Sequence, residues 1–164
     1  RSTLFPYTTL FRSRTGRTIQ IGIRGSAEYL WEFSAESGMT VIHAEEIATR
    51  GLSAVIEQAR AVVGDDPTYV SFDIDSLDPA FAPGTGTPEV GGLTTREALA
   101  ILAGMKGLDI IGGDVVEVAP QYDTTTNTAQ AGAQMLFEIL SLMVYSPSIG
   151  ARKGEAAPPE AGGI

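Results

Sequence analysis

The sequence contains no cysteine and a single histidine, His43. The first absence excludes disulfides and thiolate metal sites, and the second excludes a histidine-rich metal site built within the chain. No apolar run approaches the roughly 20 residues of a membrane-spanning helix. No signal-peptide pattern is present either, so a cytoplasmic protein with no membrane partner is expected. Positive charge is scarce, with 11 Lys and Arg against 20 Asp and Glu and a formal net charge of −9. That balance argues against a nucleic-acid partner, which would need a basic patch for the phosphates.

What remains is enough for one folded domain. The chain has 164 residues, 43% of them hydrophobic and 19% charged, an ordinary globular mixture. Its two ends fit that domain poorly. Residues 1–13 carry aromatics and threonines with no helical or strand period. They resemble a translated adapter sequence, and a non-native segment is expected there. Residues 146–164 are rich in Pro, Gly, Ala and charge, and a disordered tail is expected.

Between the ends, strand and helix signals alternate. Thr18–Ile23 reads as a strand ending at Arg24-Gly25. A helix capped by Ser26 follows and stops at Gly38, and Thr40–His43 reads as a second strand. His43 is expected on a surface loop. Leu52, Val55, Ile56, Ala59, Val62 and Val63 recur at helical spacing. Thr68–Ile74 reads as a continuous buried strand, and Ser76–Gly92 as a long loop. Thr94 with Glu97 forms a capping box for the next helix. Leu108–Ile111 and Asp114–Val118 read as a strand region bent at Gly112-Gly113. A long helix over about 126–144 closes the pattern. This alternation predicts an α/β fold with a mainly parallel sheet flanked by helices, and ligands at the carboxyl ends of its strands.

The chemistry concentrates at one such end. Ser71-Phe72-Asp73-Ile74-Asp75 places two carboxylates two residues apart, on one face by strand periodicity. Two such groups repel and are costly to desolvate unless a cation lies between them. An all-oxygen donor set favours Mg, Ca or Mn. Alone the pair is a weak signal, and a pair of loop caps is the commoner use of such carboxylates. Its continuation, Ser76-Leu77-Asp78-Pro79-Ala80-Phe81-Ala82-Pro83-Gly84-Thr85-Gly86-Thr87-Pro88-Glu89-Val90-Gly91-Gly92-Leu93-Thr94, is far more specific. Three prolines and four glycines at fixed offsets make a stiff loop with close backbone approaches.

Together these segments resemble the signature of the ureohydrolases, the arginase and agmatinase family, over about residues 18–145. Gln20–Gly25 and Tyr122–Ala129 are more similar to agmatinase-like members than to arginases. The resemblance implies a three-layer α/β/α architecture of which this chain is the carboxy-terminal part, with the amino-terminal half incomplete. It implies Asp73 and Asp75 as ligands of a binuclear manganese centre, and a metal-bridged hydroxide that hydrolyses a guanidino compound to an amine and urea. Agmatine is the first substrate expected and guanidinobutyrate or another guanidino acid the next, in a homo-oligomer. Asp114-Val115-Val116-Glu117-Val118-Ala119-Pro120 is similar to the family's late strand, which implies Glu117 as the carboxylate that grips the guanidinium. Asp78 is expected to hold the loop through backbone hydrogen bonds. Arg24 suggests a subunit or loop salt bridge, with no role fixed by its context.

The family completes its site with a Gly-Gly-Asp-His segment and an Asp-x-His-x-Asp segment, and neither occurs in this sequence. Gly112-Gly113-Asp114 mimics the first, but Val115 stands where the histidine belongs. The chain alone is therefore expected to be inactive. Two other classes stay open. A haloacid-dehalogenase-like phosphatase also ends a strand in Asp-x-Asp, although Ser76-Leu77-Asp78-Pro79 departs from its pattern. A non-catalytic homologue serving as a subunit scaffold is the third.

Overall fold

The computed structural model describes residues 14–25 and 28–153. The expected non-native segment 1–13 and cap Ser26 lie outside them. A first parallel pair joins β1 (Ile19–Ile23) to β2 (Thr40–His43), with Ile19 opposite Thr40 and Ile21 opposite Ile42. The register shifts before Ile23 meets His43, and Gly22 takes up the irregularity at φ +88°, a backbone state that costs glycine little. Helix α1 (Glu28–Glu36) connects the two strands.

His43 is not on a loop. It precedes α2 (Ala44–Arg50), and its amide donates to Glu46 Oε1 at 3.0 Å. A seven-residue helix with one buried residue, Ile47, leaves too short an apolar period to read from sequence. Helix α3 (Leu52–Val63) follows after Gly51 and buries Val55, Ala59 and Val63, as its spacing requires.

The second parallel pair is β3 (Thr68–Asp73) with β4 (Ile110–Val116), joined by the long loop and α4 (Thr95–Gly104). Thr94 and Glu97 form the expected capping box on α4, with the Thr94 amide 2.8 Å from the Glu97 carboxylate. Arg60 of α3 donates to the carbonyls of Gly104 and Lys106 and so covers the other end of α4. The strand β4 runs straight through Gly112-Gly113. The irregularity lies one residue earlier, where Thr68 faces Ile110 and Tyr69 already faces Gly112.

Helix α5 (Asn127–Val144) covers one face of this second pair. Gly113 allows the approach, because a Cβ there would sit 2.6 Å from Ile139 Cγ2. The opposite face is open. Tyr69 is 59% exposed, and Ser71 and Val116 are exposed with it. β3 is thus half-buried with alternating exposure, where a continuous buried strand was expected. Residues 147–153 also depart from expectation. They form α6 (Pro147–Lys153), whose start is tied to Asp109 by Ser146 Oγ and by the amide and hydroxyl of Ser148. One cluster, from Ile42 and Ile47 through Val55, Ile74, Leu77 and Ile110 to Met135 and Ile139, forms the core. Each fully buried side chain of this size contributes about 2 kcal/mol of burial free energy. None of the described helices is long and apolar enough to cross a membrane.

Candidate active site

Strand β3 ends at Asp73, and the chain turns at once into a 3-10 turn, Ile74–Ser76. Asp75 is therefore not a strand residue, and strand alternation does not align the two carboxylates. The turn does. The Asp73 side chain accepts the Asp75 amide at 3.2 Å, so the first carboxylate caps the turn that carries the second. Ile74, fully buried between them, anchors the turn in the core.

Burial pushes the Asp73 carboxyl up to about 6, although the Asp75 amide pulls it down; the negative charges of Asp75 and Glu117 push it further up. The shift places Glu117 within electrostatic reach of Asp73, as its place just beyond β4 would bring about. Glu117 sits at φ +63°, a left-handed conformation that costs a non-glycine residue of the order of 1 kcal/mol. The negative charge of Glu117 thus acts on Asp73 from a backbone state that side chains rarely adopt.

The signature loop closes the site. Thr87 donates its hydroxyl to Asp75 Oδ2 at 2.7 Å, and a Cβ on Gly86 would lie 3.9 Å from Glu117 Oε2. Thr87 was not singled out from the sequence; its place in the signature was the available signal. Asp78 performs its expected work: its carboxylate accepts the amides of Ala80, Gly91 and Gly92 at 2.9, 2.8 and 3.2 Å, and those bonds hold its carboxyl below the usual range. Gly84 is fastened to the far side. Its amide donates to the buried Thr128 hydroxyl at 2.8 Å, and its carbonyl accepts the Ala119 amide at 2.8 Å. Asp114 lies on the open face of the sheet, where Tyr69 donates to it at 3.0 Å.

The donor set can serve a hard cation only in part. Asp73 and Asp75 carry carboxylate oxygens, the donor type that hard divalent cations prefer. Among the described residues, no group of three His, Cys, Asp or Glu side chains is arranged to hold a metal ion. The groove of about 370 Å³ between α4 and α5, lined by Phe81, Leu99, Gln130 and Gln134 among others, includes neither aspartate.

The match that decides the family runs through all of these elements. The arginase family model fits residues 7–141. The chain belongs to the arginase family. It is 54% identical over 132 residues to guanidinopropionase of Pseudomonas aeruginosa, covering 79% of this chain and 42% of that protein. It is 50% identical over 133 residues to mitochondrial agmatinase of Gallus gallus, covering 77% and 38%. Among solved structures, proclavaminate amidino hydrolase from Streptomyces clavuligerus superposes with a TM-score of 0.74 at 41% identity, over 79% of this chain and 43% of that one. Arginase from Bacillus caldovelox superposes at 0.69 with 30% identity, over 80% and 44%. The chain thus spans about two fifths of the length of these relatives. Arginase-family membership and the parallel α/β arrangement agree with the expected fold.

Proposed function

We propose that the protein to which this chain contributes is a manganese-dependent ureohydrolase that converts a guanidino compound, agmatine first, to an amine and urea. The observation that carries this reading is the convergence of Asp73, Asp75, Thr87 and Glu117 at the carboxyl ends of β3 and β4. Asp73 and Asp75 would hold the metal as part of a ligand set that other residues complete. When bound, divalent cations supply the Lewis acidity that activates water near neutral pH. The remaining work falls to this chain's own groups. Glu117 presents a carboxylate to the planar, paired donors of a guanidinium. Thr87 fixes the rotamer of Asp75 through their hydrogen bond. The same reading carries a homo-oligomeric assembly and a cytoplasmic setting.

A guanidino acid is the second reading for the substrate, supported by the 54% identity to guanidinopropionase and 49% to guanidinobutyrase of the same organism. Urea release from agmatine, guanidinopropionate and guanidinobutyrate, measured on the complete protein with added Mn²⁺, tests both. Agmatine turning over fastest supports the first, and no urea from any of the three refutes the ureohydrolase reading. The 164-residue chain releases no urea from agmatine above a no-protein control; release would overturn the claim that its ligand set is partial.

A further inference from the structure

We infer that Arg24 is a positioning residue for the Asp75 end of the site. The inference rests on the reading of Asp73 and Asp75 as metal ligands. Arg24 follows β1, more than 50 residues before Asp75 in the chain. Its guanidinium nevertheless donates to the carbonyls of Asp75 at 2.6 Å, Ser76 at 3.4 Å and Leu77 at 3.2 Å. It also reaches the carbonyl of Glu89, from Nη2 at 2.7 Å and Nε at 3.1 Å, and its own neighbour Gly22 at 3.5 Å.

These contacts do more than fill donors. The Asp75, Ser76 and Leu77 carbonyls mark the chain's entry into the signature loop, and Glu89 lies near its exit. One planar, permanently charged fork thus ties both ends of the loop together. Fixing the Asp75 carbonyl fixes that residue's peptide planes and hence the direction of its side chain. Closing the loop base keeps Thr87 beside Asp75 Oδ2. Gly92 sits inside the clasp, where a Cβ would lie 2.5 Å from the Asp78 amide nitrogen, 2.7 Å from the Leu77 carbonyl carbon and 2.8 Å from Arg24 Nη2. Asp78 completes the clasp from the other direction, taking the Gly91 and Gly92 amides while Arg24 takes the carbonyls. Arg24 therefore spends its donors on backbone carbonyls and makes no salt bridge among the described residues. That departs from the ion-pair use suggested by its charge. Lysine is a poor substitute, because three tetrahedral donors on a flexible stem cannot span carbonyls on both sides of the loop.

The test uses the full chain with Arg24→Met, Arg24→Lys and Gly92→Ala. Amide hydrogen exchange reports the clasp, and Mn²⁺ titration followed by the electron paramagnetic resonance of the free ion reports the site. In Arg24→Met the Gly91, Gly92 and Asp75 amides exchange at least about tenfold faster, while the β4 amides keep their protection. Gly92→Ala, whose Cβ meets the loop backbone first, serves as a loop-distortion control, and Arg24→Lys falls between. Mn²⁺ affinity drops about tenfold in Arg24→Met and is partly restored in Arg24→Lys. Unchanged loop exchange in Arg24→Met overturns the inference. So does a uniform rise over β3, β4 and α5 in all three variants, which would make Arg24 a general stability contact. Equal Mn²⁺ affinity in the wild type and Arg24→Met removes the positioning role even if the loop loosens. If the wild-type chain takes up no Mn²⁺, its partial ligand set is the reason; the affinity comparison is then made on the complete protein, and the exchange data still decide the clasp.

Discussion

Two irregular segments meet at the ends of β3 and β4, and they are held in opposite ways. The loop 76–92 is cross-linked. Arg24 and Asp78 close its base, and Thr128 and Ala119 fasten its middle at Gly84. The segment 117–126 has fewer cross-links and two residues at positive φ, Glu117 and Thr126, both at +63°. The loop is held by these cross-links, although the buried Thr85 hydroxyl has no hydrogen-bond partner. The second segment keeps its strain because it leans on the loop and on the start of α5, where Asp123 accepts the Ala129 amide at 2.9 Å. A strained carboxylate is thus supported by a relaxed neighbour, and the comparison breaks first where the two segments touch.

Gly84 is that contact, and its substitution has the largest expected effect. A Cβ there would fall 2.4 Å from Asp123 Cβ and 2.9 Å from both Asp123 Cα and Thr128 Oγ1. Backbone and a short side chain cannot give way cheaply, so Gly84→Ala destabilises by about 3 kcal/mol. Urea denaturation of the chain checks this; a midpoint unchanged from wild type would show that the segments do not lean on each other. Thr128→Val keeps the volume but removes the acceptor of the buried Gly84 amide. An unsatisfied buried N–H costs about 2 kcal/mol, read in the same experiment, and Thr128→Ser recovers most of it.

Much of this arrangement was legible in the sequence, and the limits have physical causes. Asp73, Asp78 and the Thr94 cap could be placed because each belongs to a local pattern of turn, cap or strand end, whereas Glu117 was singled out only by the resemblance of 114–120 and was expected inside a strand that in fact stops at Val116. Asp75 was identified, but its geometry was misassigned, since nothing local shows that β3 stops at Asp73 and that the aspartate itself caps a turn. Helix α2 was missed because Ile47 is its one buried residue. The open face of β3 was hidden by Val70 and Phe72, whose apolar run with Tyr69 looks continuous although Tyr69 points to solvent. Arg24 was the hardest case. Four of its five carbonyl partners lie more than 50 residues away in the chain, and main-chain acceptors leave no residue type to read.

A smaller effect tests the charge side of the comparison. With a folded value near 6 against about 4 in the unfolded chain, Asp73 binds a proton in the fold that the unfolded state lacks between those pH values. The metal-free chain therefore gains stability from this group as pH falls from 7 to about 4 and loses it as pH rises through 6. Asp78 and Glu97, whose values are lowered, act the other way, their contribution fading as pH drops below about 4. Asp73→Asn removes the first slope. It stabilises the metal-free chain at pH 7 by about 1 kcal/mol after allowance for its partial exposure, and in the complete protein it abolishes Mn²⁺ uptake. Full metal occupancy in that variant would refute the ligand assignment.

The smallest effect separates backbone strain from charge at Glu117. Glu117→Gln and Glu117→Asn both remove the negative charge that acts on Asp73, so both relieve that repulsion equally. Asparagine also tolerates the left-handed conformation, whereas glutamine bears the same strain as glutamate. Glu117→Asn should therefore exceed Glu117→Gln in stability by about 0.5 kcal/mol, seen as a difference between their thermal midpoints. Equal midpoints would mean that charge, and not the φ of +63°, is what the surrounding segment works against. In the complete protein both variants lose guanidino turnover, because neither amide offers the paired anionic oxygens a guanidinium requires. A residue whose replacement steadies the fold and ends the reaction is one that its position holds in place against the local preference of its own backbone.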